Sequence, residues 1–185
     1  MQREFECFSA NTVWLADIFY CATEESWLYV AAIKDMVTRE IVGWAMVRHM
    51  KAGLCCDALK MALARRGSVT GLVHHADRCS QYCSDEYRKL LRNAGIRQSM
   101  SRKGQGLDNA PMESFIASLK KELVYRTTFK SRQQAKATIF EYIEVFYNRQ
   151  RRHSAISYKT PYQAYQQKAW KMAACLSATP IGQVG

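Results

Sequence analysis

The sequence predicts an α/β fold in which a mixed five-stranded sheet is flanked by helices. Three observations predict it. Three runs rich in Val, Ile, Trp and Tyr follow one another closely, at residues 11–20, 26–35 and 40–50. Two shorter runs, at residues 71–75 and 96–100, then alternate with segments of helical spacing. The remainder of the chain carries helical spacing with no further strand. Successive strands joined by short turns pair antiparallel, and strands alternating with helices imply a mixed sheet that helices must cover.

Each element has a local cause. The first three runs suit pleated, half-buried strands, and the turn-like stretches 21–25 and 36–39 separate them. In the first run Val13, Leu15, Ile18 and Tyr20 are apolar, and Asp17 interrupts them. Leu54, Ala58, Met61 and Ala62 recur at helical spacing, which predicts a helix over 54–66 ended by Gly67. Residues 71–75 read as a short buried strand. Ser84 is placed to cap a helix over 85–93, with Asp85 and Glu86 favourable in its first turn and Gly95 closing it. Residues 96–100 read as the last strand, and 101–107 as a polar loop. Asp108 or Asn109 then caps a helix reaching about residue 124, with Pro111 tolerated in the first turn. Ser131 caps a final helix to about residue 148, whose stripe is Ala135, Ile139, Tyr142, Ile143 and Phe146. Beyond Trp170 the pattern fades. The expected organisation is one core over residues 1–166 and a poorly ordered tail over 167–185.

Charge narrows the function. The chain has 185 residues, with 27 Lys and Arg against 16 Asp and Glu, a net charge of +11. Such a balance favours an acidic partner such as nucleic acid. Residues 87–107 hold six basic residues and no acid, and so does the chain from residue 145 to its end. Two acid-free basic stretches fit a DNA-facing surface better than scattered solubilising charge. There is no apolar signal-peptide core at residues 1–11, and no run approaches the roughly 20 apolar residues that span a bilayer. Seven irregularly spaced cysteines argue against a disulfide framework and suit reduced thiols in the cytoplasm. His74, His75, Cys79 and Cys83 lack the paired spacing of a structural zinc site.

Three carboxylates stand where a sheet does not want them. Asp17 lies inside an apolar strand, Asp77 directly follows a buried one, and Glu113 sits in the first turns of a helix that carries Phe115, Ile116 and Leu119. Any one of them alone reads more readily as a structural acid satisfied by Arg, Lys or backbone N–H groups. As a set they suit hard divalent cations, which take oxygen ligands from several elements. Two such ions activate an attacking hydroxyl and stabilise the leaving oxygen of a phosphodiester.

The segments WLADIFY (14–20), WLYVAAIKDMVTREIVGW (27–44), HADRCSQY (75–82), SRKGQGLDNAPMESFIASLK (101–120) and YNRQRRHS (147–154), followed by Pro161, resemble the retroviral-integrase superfamily. Within it the likeness is to insertion-sequence transposases translated from a second, frameshifted reading frame. Asp77 and Glu113 are separated by 35 residues, the spacing that gives the family's acid triad its usual name. The resemblance implies a ribonuclease-H-like fold with Asp17 and Asp77 meeting on neighbouring strands and the Glu113 helix closing over them. It further implies that Asp17, Asp77 and Glu113 hold Mg²⁺ or Mn²⁺, two ions in all. Water would attack at a mobile element's end, and the freed 3′-hydroxyl would attack a second phosphodiester. The implied partners are DNA at element ends and target, further copies of the chain, and a helix-turn-helix protein from an upstream frame. The implied setting is the bacterial cytoplasm, on the nucleoid.

Other residues are weighed beside the triad. Lys120 lies two helical turns after Glu113 on the same face, so it holds substrate phosphate or is merely solvated. Arg102, Lys103, Arg149, Arg151, Arg152 and His153 are candidates for gripping the DNA backbone. Asn109 orients the site or caps its helix, and His75 is a strand-end residue beside it. Departures from the family pattern are Ala16, Phe19, Ala76, Cys79 and Gln105, where Thr, Thr, Ser, Gly and Asn are usual. If the loop after Asp77 requires positive φ, Cys79 strains it. Two other functions share these features: a catalytically silent or truncated transposase that only binds DNA, and ribonuclease H, which would bring a fourth acid for which Asp108 is the nearby candidate.

Overall fold

The computed structural model describes residues 9–77, 79–100 and 109–177, with Ala52 and the last seven of these as backbone only. It contains five strands: β1 Val13–Ala22, β2 Trp27–Asp35, β3 Ile41–Val47, β4 Val73–Ala76 and β5 Arg97–Met100. The helices are α1 Ala52–Arg66, α2 Asp85–Asn93, α3 Ala110–Glu122, α4 Arg132–Glu141 and α5 Pro161–Ser177. The sheet order is β3-β2-β1-β4-β5. β1, β2 and β3 pair antiparallel, whereas β4 pairs parallel with both β1 and β5. The mixed sheet expected from the sequence is therefore present, with β1 beside β4 at its centre.

Strand alternation sends side chains to two cores. On one face Trp14, Ala16, Ile33, Val42 and Leu72 pack with α1 and α2 through Leu54, Ala58, Leu59, Tyr87 and Leu91. On the other, Leu15, Phe19, Val30, Ala32 and Ile41 pack with α3 and α4 through Met112, Phe115, Leu119, Ala135 and Ile139. Both faces are covered, which accounts for the largely apolar central strands. Gly43 on β3 sets how closely α1 approaches. A Cβ there would press into the Ala58 carbonyl and stand 2.8 Å from the Ala62 Cβ.

The predicted caps on α2 and α4 are present. Ser84 Oγ accepts from Tyr87 N at 3.3 Å, and Ser131 Oγ accepts from Gln134 N at 3.1 Å. The final helix differs from expectation. After Glu141 it widens into a π-helical segment, Tyr142–Tyr147. In a regular α-helix residues five apart point about 140° apart. The wider turn brings Tyr142 and Tyr147 both into the core, and it aims Asn148 at β3. Asn148 there donates to and accepts from the backbone of Ile41, at 3.0 and 2.9 Å, covering an edge strand.

α5 was not expected. Pro161 occupies its first turn, and Thr160 Oγ1 accepts from Gln163 N at 3.2 Å. Glutamines at 163, 166 and 167 dilute its apolar stripe, which is why spacing alone does not reveal it. It docks through Tyr165, whose ring lies 3.6 Å from the Arg66 guanidinium. The helix crosses residue 166, so the expected boundary falls inside an element. Among the described residues no helix is long and apolar enough to cross a membrane.

Candidate active site

The strand register brings two of the three acids together. Ala16 is the parallel partner of Ala76, so Asp17 and Asp77 are the next residues on neighbouring strands, with backbones about 5 Å apart. Asp17 is half-buried and Asp77, just past the end of β4, is exposed. Glu113 lies in the first turn of α3, exposed, on the helix that crosses the same face of the sheet. That helix is fixed by its buried side: Phe115 packs edge-on against Phe19 at 6.4 Å between centroids, and Met112 and Leu119 are fully buried.

The acids sense one another. The Asp17 carboxyl is pushed up from 3.8 to about 6, first by burial. The Ile18 N–H, 2.7 Å from Oδ1, pulls it back down, while the charges of Asp77 and Glu113 raise it further. Lys120 opposes them, which places its ammonium near the acids as helical spacing implies. Lys120 also stands 5.5 Å over the Tyr20 ring, at a cavity of about 480 Å³ shared with Trp27 and Tyr125. Among the described residues, no three His, Cys, Asp or Glu groups are gathered tightly enough to hold a metal ion. Three carboxylates that repel one another are expected to stand apart until a cation neutralises them.

The supporting residues are placed variously. His75 is buried two residues before Asp77, hence on the same side of β4, with Nδ1 3.2 Å from Ser99 Oγ. Asn109 occupies the N-cap position of α3 but its side chain makes no capping bond, contrary to expectation. It is buried, and its Oδ1 has no partner among the described residues. Cys79 is not among the described residues with positive φ, so the strain expected at that residue is absent.

The basic candidates divide. Arg102 and Lys103 lie outside the described residues. Arg152 is exposed, and Arg149 is exposed with its guanidinium 4.9 Å from the Tyr162 ring. Arg151 is instead spent inside the protein: it pairs with Glu122 at 2.8 Å and donates to Ser118 at 3.3 Å. His153 packs edge-on against Tyr147 at 4.8 Å between centroids and is pushed down to about 4, first by burial and then by Arg151, Lys34 and Arg39. It is a neutral structural residue near pH 7. On α2 and β5, Arg88, Lys89, Arg92 and Arg97 are all exposed.

Sequence reasoning missed Lys34. It lies on β2 and is 3% exposed, with Nζ donating to the Pro111 carbonyl at 2.6 Å and to Tyr147 Oη at 2.9 Å. A lysine inside the apolar run of β2 is the same kind of signal as Asp17 in β1.

Fold and acid placement together define a ribonuclease-H-like integrase core. Residues 9–105 match the integrase core domain, and residues 94–161 match a second integrase core domain pattern; the chain belongs to this family. It is 48% identical over 174 residues to the insertion element IS600 uncharacterized 31 kDa protein of Shigella sonnei, covering 94% of this chain and 64% of that one. It is 46% identical over 154 residues to transposase InsF for insertion sequence IS3A of Escherichia coli (strain K12), covering 83% of this chain and 54% of that one. The chain thus spans between about half and two thirds of these relatives. Among solved structures, the simian T-cell lymphotropic virus intasome in complex with PP2A regulatory subunit B56 gamma is 14% identical with a TM-score of 0.68, covering 95% of this chain and 58% of that one. The HTLV-2 integrase catalytic core domain in complex with magnesium is also 14% identical, with a TM-score of 0.60, covering 85% and 98%.

Proposed function

We propose that this chain is the catalytic core of a metal-dependent DNA transposase, which hydrolyses a phosphodiester at a mobile element's end; the freed 3′-hydroxyl then attacks a second phosphodiester and displaces its 3′-oxygen, so that one P–O bond replaces another. The observation that carries the reading is the Asp17 carboxyl, held near 6 by burial and by the charges of Asp77 and Glu113. Three acids from β1, the end of β4 and α3 form a set of hard oxygen donors whose negative charge Lys120 offsets only in part, which fits Mg²⁺ or Mn²⁺. Asp17, Asp77 and Glu113 would hold the ions, two in number. Divalent cations there supply activation of the attacking hydroxyl and stabilisation of the leaving oxygen.

The other residues prepare the site. Lys120 holds a substrate phosphate beside the acids. Burial of Asp17 keeps part of the site dry, where charge acts more strongly. Lys34 fixes the turn from which Glu113 projects. His75 and Asn109 orient the groups around them. The substrate is DNA, at the element's ends and at the target, engaged by several copies of the chain. A helix-turn-helix partner from an upstream frame supplies recognition of specific ends, in the cytoplasm and on the nucleoid of a bacterium. The catalytic core ends before α5, the helix in which the boundary expected at residue 166 falls.

Strand transfer from pre-cut ends with Mg²⁺ or Mn²⁺ tests this, with the chain in its full-length context. Asp77→Asn and Glu113→Gln each abolish joining and leave DNA binding intact. Joining that persists in both variants would overturn the reading.

A further inference from the structure

A cavity of about 650 Å³ lies beside α3, lined by Lys34, Arg39, Arg151, Arg152 and His153 together with Ser114. It is distinct from the acid site. Ser114 lies roughly 100° around the helix axis from the face that presents Glu113 and Lys120. Among the described residues, the cations on its wall exceed the anions beside them. Asp35 is committed to the backbone N–H groups of Asn11, Val37 and Thr38, and Glu122 to Arg151 and the Tyr142 hydroxyl. Among the described residues, Arg39 and Arg152 make no ion pair. Arg39 is also held at φ +66°, in the left-handed region, which a residue with a side chain occupies at a cost.

Among the described residues, two buried donors have no acceptor. Arg39 Nε is shielded from water and unpartnered. Arg151 Nη1 approaches His153 Nδ1 at 3.3 Å, and since arginine only donates, the ring proton sits on Nε2, which is likewise buried and unpartnered. The wall charges also oppose one another. Burial pushes Lys34 well below its usual range, and Arg39 and Arg151 push it the same way. Such a constellation lacks an acceptor-rich anion.

We propose that this cavity is a phosphate-binding site that receives a DNA backbone phosphodiester between Arg39 and Arg152. The guanidinium fork suits two phosphate oxygens, and the family's DNA chemistry favours this source over an acidic peptide. The proposal rests on the DNA-processing reading, but the site acts by binding and needs no divalent ion.

The test therefore runs in chelator. Duplex DNA affinity is measured against salt for the wild type, Arg39→Asn (which suits the left-handed backbone), Arg152→Gln and, as a control away from the cavity, Lys60→Gln. Thermal melts with and without millimolar inorganic phosphate accompany it. The log–log salt slope falls by about 0.9 for each cavity variant and is unchanged in Lys60→Gln. Phosphate raises the wild-type melting temperature, and both cavity variants lose that rise. Arg152 is exposed, so Arg152→Gln folds whatever happens at Arg39. Slopes equal to wild type in both cavity variants overturn the proposal. A lost phosphate response with unchanged DNA slopes also overturns it, because the site then serves a free anion. Failure of the strand-transfer reading shows separately, in joining assays of Asp77→Asn with its salt slope intact.

Discussion

Lys34 Nζ donates a 2.6 Å hydrogen bond to the carbonyl of Pro111, two residues before Glu113. The carbonyl belongs to the first turn of α3, so one buried ammonium ties the start of the acid-bearing helix to the sheet beside β1. Its second bond, to Tyr147 Oη, ties the same point to the π-helical segment. The placement of Glu113 thus depends on a residue with no contact to the acids.

Lys34→Met should keep the volume and remove both bonds. It leaves the Tyr147 hydroxyl and the Pro111 carbonyl buried with one partner fewer, a cost of about 1–3 kcal/mol in a denaturant melt. Relief of lysine burial offsets part of that. Joining activity should fall further than the lost stability and any loss of DNA affinity together account for. Activity that tracks the folded fraction alone would show that Lys34 does not position Glu113.

The Glu40–Arg66 pair is nearly buried, with side chains 12% and 6% exposed, and Tyr165 covers the guanidinium. Breaking such a pair strands a charge, so Glu40→Gln should destabilise by roughly 3 kcal/mol. Tyr165→Ala should loosen α5 and increase hydrogen exchange from residue 161 onward while leaving the sheet protected. Equal loss of protection in β1 would show that α5 is integral to the core.

Thiol chemistry separates by burial. Cys55 is pushed up to about 12 and Cys56 to about 11, in each case chiefly by burial. Cys79 and Cys83 are only partly buried. Under brief alkylation of the native protein, Cys79 and Cys83 should label first and Cys55 and Cys56 only on unfolding. Early labelling of Cys55 would mean that α1 opens locally.

Much of this architecture is legible in the sequence because its causes are local. β1 shows Asp17 by interrupting apolar residues, and Ser84 and Ser131 stand one residue before the helices they cap. Lys34 interrupts β2 just as visibly, yet its partners lie 77 and 113 residues away, so spacing assigns it no role. The same distance hides the pairing of Arg151 with Glu122, which gives one residue of the basic run a partner inside the protein. Asn109 looks like a cap because of its position, and only the structure shows that its side chain makes no capping bond.

The acids give the sharpest test, since their charge is a liability without a cation. Asp17 titrates near 6 in the folded protein against an ordinary value of 3.8. The folded state therefore holds that proton more tightly than the unfolded chain does. The associated stability is fully present below pH 3.8 and is lost as pH rises through 6. At pH 7 the metal-free protein carries the whole cost. Asp17→Asn should relieve it, raising stability on the order of 1–2 kcal/mol, or roughly 2–8 °C in melting temperature. At pH 4 the gain should vanish. Mg²⁺ should reverse the order: the wild type gains melting temperature with rising pH as Asp17 ionises, and Asp17→Asn gains little, because a ligand stabilises only through its affinity for the folded state. Melts of both proteins at pH 4, 5.5 and 7, with and without Mg²⁺, decide the matter. An Asp17→Asn protein that melts far below wild type at pH 7 in chelator would make Asp17 a structural acid and remove the basis for a metal site.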